Sequence, residues 1–153
     1  MPVVAAGQPA PQFSLQRPEG ATFTHEDLLG RTTVFVFYPF AFSPVCTDQL
    51  SVYNDLLEDF GERGATLYGV SCDATYSQTA FKQALGIEIA QLSDFEPKGE
   101  ACRAFGVLHA GGFPQRALVL IGPDGVVKWS YEAPSPSELP GANLIFDALD
   151  AHV

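Results

Sequence analysis

The sequence is short of cysteine and of basic residues, and each scarcity argues against a class of protein. Its three cysteines, Cys46, Cys72 and Cys102, are too few and too far apart for a disulfide framework, and the odd number leaves at least one free. Lys and Arg together number 8 against 18 Asp and Glu, which gives a formal charge of -10. The bases stand singly, so no cationic stripe is available for phosphates, and a nucleic acid partner is not expected.

Long apolar runs and metal-ligand spacings are also missing. No apolar stretch reaches the roughly eighteen residues of a membrane span, and the first residues, "MPVVAAGQPAPQF", lack the basic flank and apolar core of a secretory signal. We therefore expect no membrane association and a cytoplasmic location, in a reducing compartment. The cysteines and histidines form no CxxC or HxxxH pattern, so neither a metal nor another cofactor is expected.

What the sequence does contain is a pattern of alternating strands and helices. At 153 residues with 46% hydrophobic content, the chain is expected to form a single domain over residues 1–153. "TTVFVFYPF" is apolar at odd and even positions, which indicates a central strand covered on both faces. Apolar residues at steps of three and four predict one helix from Cys46 to Gly61 and another within the tail from Pro140 to Val153.

A hairpin completes the predicted sheet. "RALVLIGPDGVVKWSYE" has two β-rich runs on either side of Pro123-Asp124-Gly125, whose residue types close a tight turn. The order of elements predicts an α/β fold with a mixed central sheet and helices on both of its faces.

Cys46 lies where a helix is expected to begin. In "SPVCTDQL", Ser43 fits the N-cap, Pro44 fits the first helical position, and Cys46 falls in the first turn. The free amide groups and the dipole of a helix start favour a thiolate, which is the nucleophilic form of cysteine. The alternative is that Cys46 is a small buried hydrophobe, as free cysteines often are.

The stretch "YPFAFSPVCTDQL" resembles the active-site signature of peroxiredoxins, in which a proline, a Thr or Ser and the peroxidatic cysteine have the spacing of Pro39, Ser43 and Cys46. "GVSCDA", "LSDFEPKGEACRAFGV" and "RALVLIGPDGVV" follow in the family's order, so the resemblance covers nearly the whole chain. Within the family, the chain is most similar to the alkyl hydroperoxide reductase E type.

The resemblance implies a thioredoxin-like fold, a hydroperoxide substrate and a homodimer. It also implies that Cys46 attacks the peroxide and becomes a sulfenic acid, that Ser43 bonds the peroxide, that Arg116 stabilises the thiolate, and that Pro39 shields the sulfur from water. Each assignment has an alternative: Ser43 as N-cap only, Arg116 as a surface residue, and Pro39 as the end of a strand.

The chain departs from the family pattern at two positions. Ser43 stands where threonine is commoner, which keeps the hydroxyl. Gln49 stands where the family often has glutamate, which changes the local hydrogen bonding. The aromatic residues Tyr38, Phe40 and Phe42 are candidates for an apolar entrance, although aromatic residues after a central strand usually belong to the core.

A sulfenic acid must be reduced by a second thiol. Where relatives carry a resolving cysteine, this chain has Leu50, Ser51 or residues near Lys82. We therefore predict a one-cysteine mechanism with an external reductant, either a small thiol or a protein similar to thioredoxin or glutaredoxin.

Three other hypotheses for the function of the chain are weighed against this prediction. Cys72 or Cys102 could resolve Cys46, as in an atypical two-cysteine peroxiredoxin. The fold could also serve as a non-catalytic binding or chaperone module, since fold alone does not determine function. A thiol–disulfide oxidoreductase is disfavoured, because Cys46 is followed by Thr47, Asp48 and Gln49 and no CxxC is formed.

Overall fold

The computed structural model describes residues 3–152; residues 1, 2 and 153 lie outside this range, and with them the ends of the predicted N-terminal segment and C-terminal helix. Within the range, seven strands form one sheet in the order β2-β1-β5-β4-β3-β6-β7. The strands are β1 Ser14–Gln16, β2 Thr22–Thr24, β3 Thr32–Phe37, β4 Ala65–Ser71, β5 Ala90–Ser93, β6 Ala117–Ile121 and β7 Val127–Glu132.

The helices of the described range cover both faces of this sheet. They are α1 Pro44–Asn54, α2 Leu57–Glu62, α3 Thr75–Leu85, α4 Glu100–Ala104 and α5 Ala142–His152, with a short 3-10 helix at His25–Leu28. No helix among residues 3–152 has the length and apolar character needed to cross a bilayer.

The prediction of one continuous helix from Cys46 to Gly61 is wrong, because the chain turns between α1 and α2. The amide of Leu56 bonds to the carbonyl oxygen of Tyr53, three residues back, so the regular four-residue pattern ends there. The short α2 then packs Phe60 against Phe146 of α5, with ring centroids 4.4 Å apart. Apolar spacing alone did not reveal this break.

Strand β3 lies at the centre, parallel to β4 and antiparallel to β6, and all six of its residues are buried. The mixed sheet predicted from the sequence is therefore present. Successive side chains of a strand point to opposite faces, so Val34 and Val36 belong to one core and Phe35 and Phe37 to the other.

The two cores contain different cysteines. Cys46, from α1, packs in the core of Val34 and Val36, which we call the α1 face. Cys72 and Cys102 pack in the core of Phe35 and Phe37, which we call the α4 face. The central sheet thus separates Cys46 from the other two cysteines.

Both edges of the sheet are antiparallel hairpins. The predicted hairpin forms β6 and β7, and Gly125 in its turn has φ +77°, a left-handed conformation that glycine adopts without a steric cost. At the opposite edge β1 pairs with β2, a strand of three residues that the sequence pattern did not indicate.

Candidate active site

Helix α1 begins as predicted and places Cys46 in its first turn. Pro44 is the first helical residue, and Ser43 has the extended backbone of an N-cap, with φ -71° and ψ 150°. The side chain of Ser43 does not cap the helix, however; its hydroxyl donates to the carbonyl oxygen of Phe40 at 3.1 Å. The helix amides are therefore left free to face negative charge near Cys46.

The loop between β3 and α1 is held in a strained conformation. Phe42 has φ +71°, a left-handed value that costs a side-chain-bearing residue free energy and persists only where the surroundings enforce it. Two contacts hold the loop in this conformation. The carboxylate of Asp73 accepts the amide of Ala41 at 2.8 Å, and the ring of Phe42 packs on Phe81 with centroids 5.1 Å apart.

Arg116 lies beside Cys46 and is only 2% exposed, so the interpretation as a surface residue is wrong. It precedes β6, which pairs with β3 and brings the guanidinium under the start of α1. Its Nη2 donates to Cys46 Sγ at 3.1 Å, its Nη1 donates to Gln49 Oε1 at 2.6 Å, and its Nε donates to the Pro136 carbonyl oxygen at 2.8 Å.

Within residues 3–152, the charge of Arg116 forms no ion pair with a carboxylate. The ion pairs formed among residues 3–152 join Arg17 to Asp27, Arg63 to Asp150 and Lys128 to Asp124, and none includes Arg116. A buried cation without a carboxylate is costly unless another negative group lies close. The group in contact with Arg116 Nη2 is the sulfur of Cys46, so the positive charge lies directly against this thiol.

Two further residues hold Arg116 in place. Gln49 accepts from Arg116 and donates through Nε2 to the Tyr53 hydroxyl at 3.3 Å; that hydroxyl in turn donates to the Pro140 carbonyl oxygen at 2.6 Å. Burial, the largest cause, raises the pKa of Tyr53 to about 12, so the hydroxyl remains a donor at neutral pH. In the sequence, Gln49 stands out only as a departure from the family pattern, and nothing marks Tyr53 as its partner. The series of hydrogen bonds that joins them to Arg116 appears only in the folded chain.

An apolar cavity of about 290 Å³ opens above the cysteine. Its walls contain the predicted site residues Pro39, Ser43 and Arg116, together with Phe40, Pro44, Val45, Phe113, Pro136 and Ser137. Cys46 is fully buried and is not itself part of the wall. The structure thus brings together the four residues that the resemblance assigned to the site.

The predicted aromatic entrance is only partly present. Phe40 lines the cavity and packs on Phe113, with centroids 4.9 Å apart. Tyr38 is buried in the core, where its hydroxyl donates to Gln91 Oε1 at 2.6 Å. Phe42 packs on Phe81 outside the cavity walls. Of the three candidates, only Phe40 has the predicted position.

On the α4 face, the structure brings together residues that are dispersed in the sequence. The sulfurs of Cys72 and Cys102 and a carboxylate oxygen of Asp94 lie within 4.8 Å of one another. Both cysteines are free thiols and both are buried. Linear spacing gave no sign of this cluster, because strand β4 and helix α4 meet only in the folded chain.

Comparison with known proteins agrees with this geometry. The AhpC/TSA family profile matches residues 6–130. The chain is 34% identical over 134 residues to "Putative peroxiredoxin ycf42" of Porphyra purpurea, covering 81% of this chain and 66% of that one. It is 31% identical over 150 residues to "1-Cys peroxiredoxin A" of Oryza sativa subsp. japonica, covering 88% and 67%. The chain thus spans about two thirds of the length of these curated relatives.

The fold is shared with a solved structure over nearly its full length. The crystal structure of Enterococcus faecalis AhpC superposes with a TM-score of 0.86 at 28% identity, covering 99% of this chain and 92% of that one. The narrower similarity to the alkyl hydroperoxide reductase E type stays a prediction. The chain belongs to the AhpC/TSA family of thioredoxin-fold thiol peroxidases, the peroxiredoxins, and this confirms the family, fold class and enzyme class predicted from its sequence.

Proposed function

We propose that the chain reduces hydrogen peroxide and organic hydroperoxides through Cys46. The thiolate attacks one peroxide oxygen, the S–O bond forms as the O–O bond breaks, and the leaving oxygen takes a proton to become water or an alcohol. Cys46 is oxidised to a sulfenic acid, and the peroxide gains the two electrons. An apolar cavity beside the site suits the alkyl group of an organic hydroperoxide.

The observation that carries this proposal is the contact between Arg116 and Cys46. A guanidinium fixed by three hydrogen bonds, with no acidic partner in the described range, favours the thiolate before substrate arrives. The same donor can stabilise the charge that develops on the leaving oxygen, and a preorganised donor is the usual source of such rate enhancement.

Ser43 and Pro39 support the same chemistry from the cavity wall. The Ser43 hydroxyl is bonded only to the Phe40 carbonyl oxygen, so rotation about one side-chain bond would turn it toward a peroxide. Pro39 is buried, lines the cavity and has no N–H, which suits a residue that keeps water from the sulfur.

We propose that an external thiol restores Cys46. Cys72 and Cys102 lie on the α4 face, so the central sheet stands between them and the Cys46 sulfur. A small thiol, or a thioredoxin- or glutaredoxin-like protein, would attack the sulfenic sulfur and release water. A second external thiol would then free Cys46 by disulfide exchange.

Stopped-flow kinetics with hydrogen peroxide and tert-butyl hydroperoxide test the first step. We expect rapid oxidation of the reduced chain and loss of this rapid phase in Cys46→Ser, with Cys72→Ser as the matched control that keeps the wild-type rate. A rate no faster than that of free cysteine, unchanged in Cys46→Ser, would remove the proposed function.

The reduction of the Cys46 sulfenic acid by an external thiol needs a separate test. We expect the double variant Cys72→Ser, Cys102→Ser to turn over hydroperoxide with an external dithiol as fast as the wild type. Loss of turnover in that variant, together with a cross-link between tryptic peptide 32–63 and either 64–82 or 99–103 in the wild type, would establish an internal resolving cysteine instead.

We also propose that the chain forms a homodimer and is located in the cytoplasm, as expected from the sequence. Phe40 and Phe42 are 49% and 56% exposed, so apolar surface faces outward beside the site, as a subunit contact would require. Sedimentation velocity of the reduced chain tests the dimer; a monomer at all accessible concentrations would refute it.

A further inference from the structure

The cluster of Cys72, Cys102 and Asp94 lies on the α4 face, and the reaction proposed for Cys46 does not require it. Cys72 follows β4, Cys102 lies in α4, and the two positions are 30 residues apart in the sequence. Their sulfurs nevertheless lie within 4.8 Å of each other and on the opposite side of the sheet from Cys46. We propose that Cys72 and Cys102 form a second redox site, a dithiol that hydroperoxide oxidises to an intramolecular disulfide.

The geometry brings the two thiols close without holding them in a bond. A disulfide requires sulfurs about 2 Å apart, so its formation needs a movement of the two cysteine side chains toward each other. Helix α4 has only five residues, and two amides of its first turn donate to a single side chain. The Asp94 carboxylate accepts the amides of Ala101 and Cys102 at 3.0 and 2.8 Å, which places the Cys102 sulfur next to Cys72.

The two cysteines are not equivalent. Cys72 keeps 7% of its surface exposed, whereas Cys102 has none, so an oxidant reaches Cys72 first. The neighbouring Cys102 thiol, as a potential hydrogen-bond donor, lowers the pKa of Cys72. The same interaction and then burial raise the pKa of Cys102. Cys72 therefore has the character of the attacking thiolate and Cys102 that of the thiol that resolves it.

The reaction balances with the substrate of the family. The Cys72 thiolate attacks one oxygen of the hydroperoxide, the O–O bond breaks, and water or an alcohol leaves with a sulfenic acid on Cys72. Cys102 then attacks that sulfur, the S–S bond forms, and the sulfenic oxygen leaves as water. The two thiols lose two electrons in total, and the peroxide receives them.

The experiment uses the full chain with Cys46→Ser, so that its outcome does not depend on the reaction proposed for Cys46. The reduced protein is treated with excess hydrogen peroxide, denatured with an alkylating agent and weighed intact. We expect a loss of two hydrogen atoms and no alkylation. Digestion with trypsin should then join peptide 64–82 to peptide 99–103, the peptides that contain Cys72 and Cys102.

Two matched variants in the same background complete the test. Cys46→Ser with Cys72→Ser, and Cys46→Ser with Cys102→Ser, each retain one thiol and are expected to show no loss of two hydrogens within one chain. Far-ultraviolet circular dichroism verifies that each chain is folded. Two alkylated thiols after peroxide, or a gain of oxygen without the joined peptides, in the folded Cys46→Ser chain would overturn the proposal.

Discussion

The two faces of the central sheet carry cysteines in opposite electrostatic settings. On the α1 face, Cys46 receives a hydrogen bond from a buried guanidinium and lies in the first turn of an eleven-residue helix. On the α4 face, Cys72 and Cys102 lie beside the Asp94 carboxylate, and burial, the largest cause, raises the pKa of that carboxyl group. One face sets a guanidinium against the sulfur of Cys46, whereas the other sets a carboxyl group beside two thiols.

Burial alone therefore does not determine the chemical environment of a cysteine. All three cysteines are buried, and composition alone would class each of them as a small hydrophobe. The difference comes from the partner: Arg116 supplies a positive charge to Cys46, and Asp94 supplies a carboxylate to the other pair. The two sites that we propose therefore lie on opposite faces of one sheet and share no residue.

The largest effect on the rate is expected when the positive charge of Arg116 is removed from the α1 face. Arg116→Met should slow the oxidation of Cys46 by hydrogen peroxide about 100- to 1,000-fold, as expected when a preorganised charged donor is lost. Arg116→Lys keeps the charge and should recover part of the rate, although lysine cannot reproduce the fork of hydrogen bonds.

Stopped-flow kinetics measures both variants, and urea unfolding verifies their fold. The matched control is Arg103→Met, which removes an exposed arginine from α4. A rate within a few-fold of the wild type in Arg116→Met, with the fold intact, would mean that the thiolate is stabilised by the helix start alone.

The corresponding test on the α4 face is Asp94→Asn. An asparagine side chain has a single acceptor oxygen, so one of the amides of Ala101 and Cys102 loses its partner, at a cost of about 1–3 kcal/mol in the free energy of unfolding. The oxidation rate of Cys46 should not change. Urea unfolding and stopped-flow kinetics measure the two quantities, with Asp147→Asn as the exposed control. Slower oxidation of Cys46 in a folded, stable Asp94→Asn variant would show that the two faces are coupled.

The same variant has an expected pH dependence. Burial raises the pKa of Asp94 in the folded chain above its unfolded value, so the folded chain binds this proton more tightly. The stability that Asp94 contributes is therefore fully present below the unfolded pKa and falls as pH rises through the folded pKa. Asp94→Asn lacks this titration, so its deficit relative to the wild type should shrink as pH rises through that window; a deficit that grows would contradict the assignment.

Sequence patterns predicted the parts of this molecule that depend on local order. The strand "TTVFVFYPF", the hairpin around Asp124 and Gly125, and the proline at the start of α1 all follow from residues close together in the chain. The break between α1 and α2, the two-residue support of Arg116 and the cluster on the α4 face depend on contacts between distant segments. Such contacts are fixed by the packing of the sheet, and apolar spacing carries no information about them.

A smaller effect is expected from the residue that holds Arg116 indirectly. Tyr53→Phe removes the hydroxyl that donates to the Pro140 carbonyl oxygen and accepts from Gln49. Of these two hydrogen bonds, the one from Gln49 supports Arg116; its loss is worth about 1 kcal/mol, or roughly a fivefold slower reaction with peroxide. Because Tyr53 acts through Gln49 and Arg116, the ultraviolet absorbance of the Cys46 thiolate at neutral pH should fall as well. Tyr68→Phe, on the α4 face, is the matched control and should leave that absorbance unchanged.

The smallest structural change, a side-chain amide replaced by a carboxylate, tests the electrostatic difference between the two faces most directly. Gln49→Glu keeps an oxygen acceptor for Arg116 Nη1 but places a carboxylate beside the guanidinium, which gives the α1 face the acidic neighbour that it lacks. Part of the positive charge would then be neutralised, and the Cys46 thiolate fraction at neutral pH should fall, with a loss in peroxide rate of less than about tenfold for a partly screened charge. Thiolate absorbance measured against pH, with the similarly sized Gln83→Glu on exposed surface as the control, gives the answer. An unchanged titration would mean that Arg116 acts on Cys46 through its hydrogen bond and not through its net charge.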